Sequence, residues 1–544
     1  MFRVFVWVLA FFLFVGVASA VCEATGEGTC YYIDPVHGDD ADDGSIDSPW
    51  RTFGQIVTYF NSSLRPNGWQ ALQPGDVVYL REGVHDTVIQ TQTHATAIVH
   101  LQGISGTPEH PIRLRGFPGE RPVIGDILEE PYTFGVYLLA ANWWEVSNME
   151  FRDTPGSCIE IGFSSDIDVF DVEVHGCARK DNGGNPAGLR MTEASRVNIW
   201  DSIFYDNFRD PILVGNPNIG FSGVGVQLFS GNNITVFNNE FSQRTRGRNL
   251  DGSPAQYASC MFQKHAQVRE KSFLHVFNNT FINCENMAFG SGTQYTHFHH
   301  NVIIDGTRGV HVRNFGGNTH QAHHLYEFNT FVNSTGFTMQ PSLCCSHQNL
   351  VDIYNDGPVN ITFRNNIVVD NQVRDSTWVG TYMNDEAFDS TVPELSFAQN
   401  CYYNTAGQVT FDLGRATHHR PSGRGGQYSL SEWQSFTYNG ATIGYDTGSV
   451  VANPLFVDQS TGDYRLQENS PCIGMGAFAQ TGQSPSREGD VNNDGLVNLE
   501  DLLFVVSRLG LRTGDTGFEV SADLDANGRI DLFDLVIVAR NFGA

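Results

Sequence analysis

The sequence predicts an all-β chain: a right-handed parallel β-helix, or solenoid, followed by a small α-helical module that binds calcium. Three observations predict it. Period-two apolar stretches each end in an Asn phrase that recurs along the chain (ITVFNNEF, LHVFNNTF, THFHHNVI, ITFRNNIV). The phrases begin at Asn239, Asn279, Asn301, Asn329, Asn366 and Asn400, so successive spacings are 40, 22, 28, 37 and 34 residues. Alternation means strands, and a period of that size means stacked units. The third observation is a C-terminal pair of loops with acidic or amide residues at every second position, each running into an apolar helix.

The elements follow in chain order. Residues 1–20, MFRVFVWVLAFFLFVGVASA, have one early cation, an apolar run and an A-x-A end, as a secretory signal does. An uncleaved anchor is the alternative. No later stretch is long and apolar enough to span a bilayer. Residues 21–478 carry the coil, 479–489 a polar small-residue linker, and 490–544 the terminal module. Unequal spacings imply loops of different length between constant strands. A β-propeller would show hairpin turns and more even lengths. The repeated Asn suits a tight bend, where it tolerates left-handed backbone and hydrogen-bonds its stacked neighbours.

The chain has 544 residues, a formal charge of −28 and only three lysines: Lys180, Lys264 and Lys271. That balance argues against nucleic acid or an anionic membrane as partner. The ten cysteines all follow the signal and fit an oxidising compartment. Cys177 and Cys284 share one corner of the coil but stand about three rungs apart, at roughly 4.8 Å each, beyond disulfide reach. Pairing is therefore local, with Cys22–Cys30 the expected bridge. Free buried thiols remain the alternative for most of the others.

Each rung also has a strand ahead of its Asn phrase: SCIEIGF, AGLRMTE, GVQLFS, CMFQKH, NMAFGSG, GVHVRNF, GFTMQPS. Apolar residues fill the coil, and the intervening residues point outward. The outward set is then Glu160, Arg190, Gln227, Gln263, Ala288, His311 with Arg313, and Thr338 with Gln340. Lys264 closes the Gln263 strand. Small Ala288 and Gly290, flanked by cations, would floor a groove for a sugar chain. Such a face suits β-elimination from a uronate, in which a proton leaves C5 beside a carboxylate. A cation must offset the developing charge and a base must take the proton. Lys264 is the candidate base and Arg313 the carboxylate clamp. His311 is the second candidate base. Arg190, Gln227, Gln263 and Glu160 would bind substrate. A calcium ion is a second candidate for offsetting the carboxylate.

Two other classes stay open. Hydrolysis needs two carboxyl groups across the scissile bond, and Glu160, Asp305, Glu285 or Glu193 could supply them. A non-catalytic protein would simply display a sugar-binding face. Histidines cluster at His297, His299 and His300 and at His320, His323 and His324, as a metal site or as polar turn residues.

The terminal loops place Asp490, Asn492, Asp494, Leu496 (carbonyl) and Asp501 at successive ligand positions. Asp523, Asp525, Asn527, Arg529 (carbonyl) and Asp534 repeat the series. Hard cations take oxygen from such an alternation. A loop-helix unit occurring twice, with Asp at both closing positions, resembles a type I dockerin. The resemblance implies calcium-dependent folding and a cohesin-type protein partner. The residues just before each closing Asp, Leu499-Glu500 and Leu532-Phe533, depart from the hydroxyl-type recognition pair usual in that family.

The openings YYIDPVHGDDADDGSIDSPWRTFGQIV and QPGDVVYLREGVH, and the closing NPLFVDQSTGDYRLQENSPCIGMG, resemble the ends of β-helical pectate and alginate lyases, including the family nine pectate lyases. The resemblance implies action on a uronate-containing polysaccharide, with a sheet lysine and an outward arginine as the working groups. The glycine-rich motif around the family nine catalytic lysine is not evident, nor are the paired aspartates of β-helical polygalacturonases.

Overall fold

The structure is a computed structural model. It describes residues 22–478 except 90, 92–95, 132, 181–186, 209–222, 230, 245–257, 265–272, 285–286, 292–294, 307, 314–321, 341–358, 371–376, 382–393, 406, 408 and 414–425. Beyond these it describes 489, 491, 497, 499–511, 519, 522, 524, 530 and 532–540. The segment read as a signal peptide lies outside the described residues, as does all of the linker but Gly489.

Among the described residues the body is built from two stacked arrays, one of 22 strands and one of 12, parallel throughout except that Gly426–Tyr428 closes the smaller one antiparallel to Thr410–Leu413. The coil is right-handed, as crossovers between parallel strands are. The 12-stranded array is called here the first sheet. The larger array turns a corner and so makes two sides of the coil. In early coils one long strand crosses that corner, as in Asn142–Arg152 and Ser165–His175. In later coils two short strands do so, as in Thr296–His299 and Val302–Ile304. These form the second and third sheets. Alternation explains the packing: Ser165–His175 buries Ile167, Val169, Val172 and Val174 and turns Asp168 and Phe170 the other way. Phe204, Phe241 and Phe281 stack inside the coil at 5.2 and 5.0 Å.

The second-to-third-sheet corner is where the Asn phrase acts. The phrase residues point inward and are buried. The Oδ1 atoms of Asn279, Asn301, Asn329, Asn366 and Asn400 each accept from the backbone N–H of the Asn one rung earlier, at 2.9–3.0 Å. The Nδ2 atoms of Asn279, Asn301, Asn329 and Asn366 each donate to backbone carbonyls of their own and the preceding rung, as Asn301 does to His299 and Val276. Beyond Asn400 the ladder ends on Ser449 and the buried Asp446, which also accepts from Tyr402 and Trp433. The left-handed residue is not the ladder Asn but its predecessor: Asn238, Asn278, His300, Phe328, Asn365 and Gln399 have φ between 52° and 56°. The bend and the hydrogen bonds are thus divided between neighbours.

The described cysteines pair locally, which decides against the alternative of free thiols. Cys22–Cys30 forms, and Cys158–Cys177, Cys260–Cys284 and Cys401–Cys472 form as well. No described cysteine is free. Pairs 19 and 24 residues apart join one turn of the coil to the next at the same corner. Cys472 belongs to the closing segment, whose strands Phe456–Asp458 and Asp463–Leu466 pair antiparallel. That segment packs Phe456, Tyr464 and Cys472 on Val302, Val332 and Ile367 of the third sheet. Gly476, at φ 85°, is required there, because a Cβ would sit 2.6 Å from Ile367 Cδ1.

The C-terminal residues have a separate core of Val491, Val497, Val505, Ala522, Ile530 and Val538. It lies between helices Leu499–Val506 and Leu532–Arg540. No helix among the described residues is long and apolar enough to cross a membrane.

If the inward ladder sets the coil, one amide should matter out of proportion to its size. Asn301→Ala removes the acceptor of the buried Asn279 N–H and a donor to the Val276 carbonyl. The expected loss is about 3 kcal/mol by urea unfolding. A loss under about 1 kcal/mol would show that the ladder is incidental.

Candidate functional site

Register defines the outward face of the first sheet. One row runs His100, Tyr137, Glu160, Arg190, Gln227, Phe262, Gly290, His311, Thr338 and Gly380. Glu160, Arg190, Gln227 and His311 fall in the expected line. Gln263 does not. Phe262 stands opposite Gln227, and Gln263 lies in the row of Leu228, Ser291 and Val312. It is fully buried among the inward positions. CMFQKH is offset by one residue from GVQLFS, and such an offset exchanges the two faces of a strand.

Lys264 and Arg313 occupy the next outward row. Lys264 pairs with Phe229, two residues past Gln227, and Arg313 pairs with Gln340, two past Thr338. Gln263 and Val312 share a row through Ser291, so the residues after them are also aligned. The two cationic positions are two strands apart, roughly 10 Å along the stack. Their side chains lie outside the described residues. Gly290 falls between Phe262 and His311, where the row has no side chain.

Arg190 is held by Glu160, its Nε lying 2.8 and 2.9 Å from the two carboxylate oxygens. Glu160 is nearly buried, and Arg190 is about one-fifth exposed. The pair makes a fixed charged step beside Tyr137. Gln227 is buried, and its Oε1 has no hydrogen-bond partner among the described residues. A buried amide oxygen in that state is costly and is available to a donor arriving from outside. His311 is fully buried in the same row.

The four carboxylates considered for hydrolysis do not converge among the described residues. Glu160 is on the first sheet in its ion pair with Arg190. Glu193 is a left-handed corner residue just past Ala187–Thr192. Asp305 lies beyond the third-sheet strand Val302–Ile304 and accepts from Asn333 Nδ2 at 2.8 Å. Glu285 lies outside the described residues.

The second sheet holds a group that the sequence reading found only in part. His275 pairs with His297, and Phe277 with His299, on adjacent strands. His275 Nε2 lies 2.6 Å from His299 Nε2, and His299 Nδ1 lies 2.7 Å from His300 Nδ1. His297 Nε2 is 3.0 Å from Glu327 Oε1, and Arg364 Nε donates to Glu327 Oε2 at 2.8 Å. Burial, with the His297 charge, pulls the His275 pKa down to about 4. Burial, then the neighbouring histidines, lowers that of His299. Burial raises the Glu327 pKa, but the bonds from His297 and Arg364 outweigh it and hold the carboxyl low. His275 was the missed member. Aligning the Asn phrases would have found it, since His275 and His297 each stand four residues before a ladder Asn. His300 is the left-handed corner residue, as turn chemistry predicts. His323 and His324 are apart from this group, the latter buried against Tyr326, and His320 lies outside the described residues.

Of the C-terminal ligand candidates, Asp490, Asn492, Asp494, Leu496, Asp523, Asp525, Asn527 and Arg529 lie outside the described residues. Asp501 and Asp534 are described. Each is the third residue of its helix, and each is fully buried. Leu524 N–H donates to Asp534 Oδ1 at 2.6 Å. A buried carboxylate at the same place in both repeats is what a loop closing on a hard cation requires.

Comparison with known proteins agrees with this division. The right handed beta helix region family matches residues 134–320, and the dockerin type I domain family matches residues 488–543. The chain is a right-handed parallel β-helix joined to a type I dockerin domain. No curated protein matches it. Similar solved structures include the GH136 lacto-N-biosidase from Eubacterium ramulus, at 14% identity and a TM-score of 0.35, with 72% of this chain covered. The chain spans 66% of that protein's length. The alginate lyase from Paenibacillus sp. str. FPU-7 is 13% identical, covering 61% of this chain and 87% of its own, with a TM-score of 0.33. The pectate lyase Pel9A is 13% identical, covering 85% and 96%, with a TM-score of 0.32.

Proposed function

We propose that the protein is a secreted polysaccharide lyase that cleaves uronate-containing glycans by β-elimination and is attached through its dockerin to a cohesin-type partner. The observation that carries this reading is the register of the first sheet, which aligns Lys264 and Arg313 in one row of the outward face. In this reading neutral Lys264 takes the C5 proton, with His311 the alternative base. The electron pair left on C5 is delocalised into the adjacent carboxylate, which Arg313 offsets. Expulsion of the glycosidic oxygen from C4, which takes a proton from water as it leaves, then gives a C4–C5 double bond and a free sugar hydroxyl. Arg190, Gln227 and Glu160 bind the flanking sugars. Gln263, being inward, is left to support the strand.

The dockerin reading includes calcium. Asp490, Asn492, Asp494, the Leu496 carbonyl and Asp501 would hold one ion. Asp523, Asp525, Asn527, the Arg529 carbonyl and Asp534 would hold the other. The ions supply charge compensation for carboxylates that would otherwise repel. The apolar core of the module is small, so binding contributes folding free energy.

Two experiments test these readings. The secreted protein is incubated with pectate, alginate and glycosaminoglycans while ultraviolet absorbance reports unsaturated uronates. Absorbance should rise with one of them, and Lys264→Ala and Arg313→Ala should each slow it by about 100-fold or more. New reducing ends without absorbance would indicate hydrolysis, and neither signal would indicate a binding protein; both outcomes contradict the lyase. Separately, the double variant Asp490→Ala/Asp523→Ala should lose calcium-dependent protection of the tail from protease. Its activity on soluble substrate should be unchanged. Lost activity with a folded body would place the tail in the active site.

A further inference from the structure

We propose that His275, His297 and His299 form a binding site for a divalent cation of the zinc class on the outward face of the second sheet. One ligand atom from each lies within 4.8 Å of the others. The site is independent of the lyase reading, since Lys264 and Arg313 belong to the first sheet.

Stacking brings the ligands together. His297 and His299 alternate on one strand and point the same way, and His275 sits directly above His297 on the strand before. A tetrahedral ion about 2.0 Å from each nitrogen sets its ligand atoms about 3.3 Å apart. The His275 and His299 Nε2 atoms, now at 2.6 Å, are close enough to share a proton. An ion would replace that proton, and the two nitrogens need part by less than about 1 Å.

The surroundings also suit a metal. Two of the three rings also have a nitrogen engaged outside the cluster: His297 Nε2 by Glu327 and His299 Nδ1 by His300. Such contacts fix the tautomer and ring orientation of metal-bound imidazoles. Glu327 is itself anchored by Arg364, so the carboxylate is not free to swing away. The His297 side chain is 40% exposed, which gives an ion a path from solvent. Three nitrogen ligands leave a tetrahedral ion one position for water or an outside ligand. Imidazole nitrogens select zinc-class metals, whereas the oxygen-rich dockerin loops suit calcium. The two kinds of ion therefore sort between the two parts of the chain. Bound metal would tie the strands of His275 and His297 together.

The test uses the full chain, stripped with chelator and returned to excess calcium so that the dockerin loops are satisfied. Zinc is then titrated by calorimetry, with cobalt absorption reporting the ligand field. The expected result is one zinc per chain, with affinity lowered about 10-fold or more by His299→Gln and by His297→Gln. His297 is the most exposed of the group, so its variant keeps the test usable if His299→Gln unfolds. His323→Gln, outside the cluster, should leave binding unchanged. Absence of zinc binding in the parent chain, or unaltered binding in folded His297→Gln, would overturn the site.

Discussion

The inward Asn ladder is the constraint on which the rest of the coil depends. A parallel coil must bring each corner back over the last, and backbone groups at a bend have no ladder partner of their own. From Asn239 to Asn400 one side-chain amide per rung satisfies those groups and touches the amide of the next rung. Every buried donor added to the stack therefore finds an acceptor already in place. Because the corner is fixed in three dimensions, loops of very different length can be inserted elsewhere without moving the strands. That is how spacings of 22 and 40 residues coexist in one regular coil.

A fixed register lets outward faces specialise. The first sheet carries the Glu160–Arg190 pair, buried Gln227, the gap at Gly290, and His311. The second carries a stack of Phe170, Trp200, Phe237 and Phe277 that runs on into His299. The histidine group therefore grows from an aromatic stripe in which one ring type replaces another. The third sheet is partly covered by the closing segment and the Cys401–Cys472 bridge. The dockerin has its own core and buries Asp501 and Asp534 at matching places in its two helices.

Much of this was legible in the sequence because the coil repeats. The Asn phrase marks one corner of each rung, and the period-two strands around it give the sheets. The dockerin was legible because acidic and amide residues recur at fixed intervals ahead of two apolar helices. What failed did so for local reasons. Gln263 was assigned outward because CMFQKH was aligned on its polar residue, although Phe262 is the residue opposite Gln227. A Gln inside a coil runs against ordinary alternation. The left-handed role was given to the ladder Asn, although the preceding residue takes it, even when that residue is Phe328 or His300. The Cys158–Cys177 and Cys260–Cys284 bridges were missed because joining adjacent turns depends on where each coil closes, which loop lengths obscure. His275 is inconspicuous because it is the only histidine on its strand and stands 22 residues before His297, which only the stacking of the coil brings beside it.

In the proposed function the outward rows of the first sheet hold a uronate chain. Hydrogen exchange read by mass spectrometry, with and without a saturating uronate oligosaccharide, tests it most directly. Exchange should slow in Ala187–Thr192, Gly223–Phe229, Ala258–Lys264 and Arg308–Arg313, with little change in second-sheet strands or in the dockerin helices. Protection confined to the second sheet, or no protection from any uronate oligosaccharide, would contradict it.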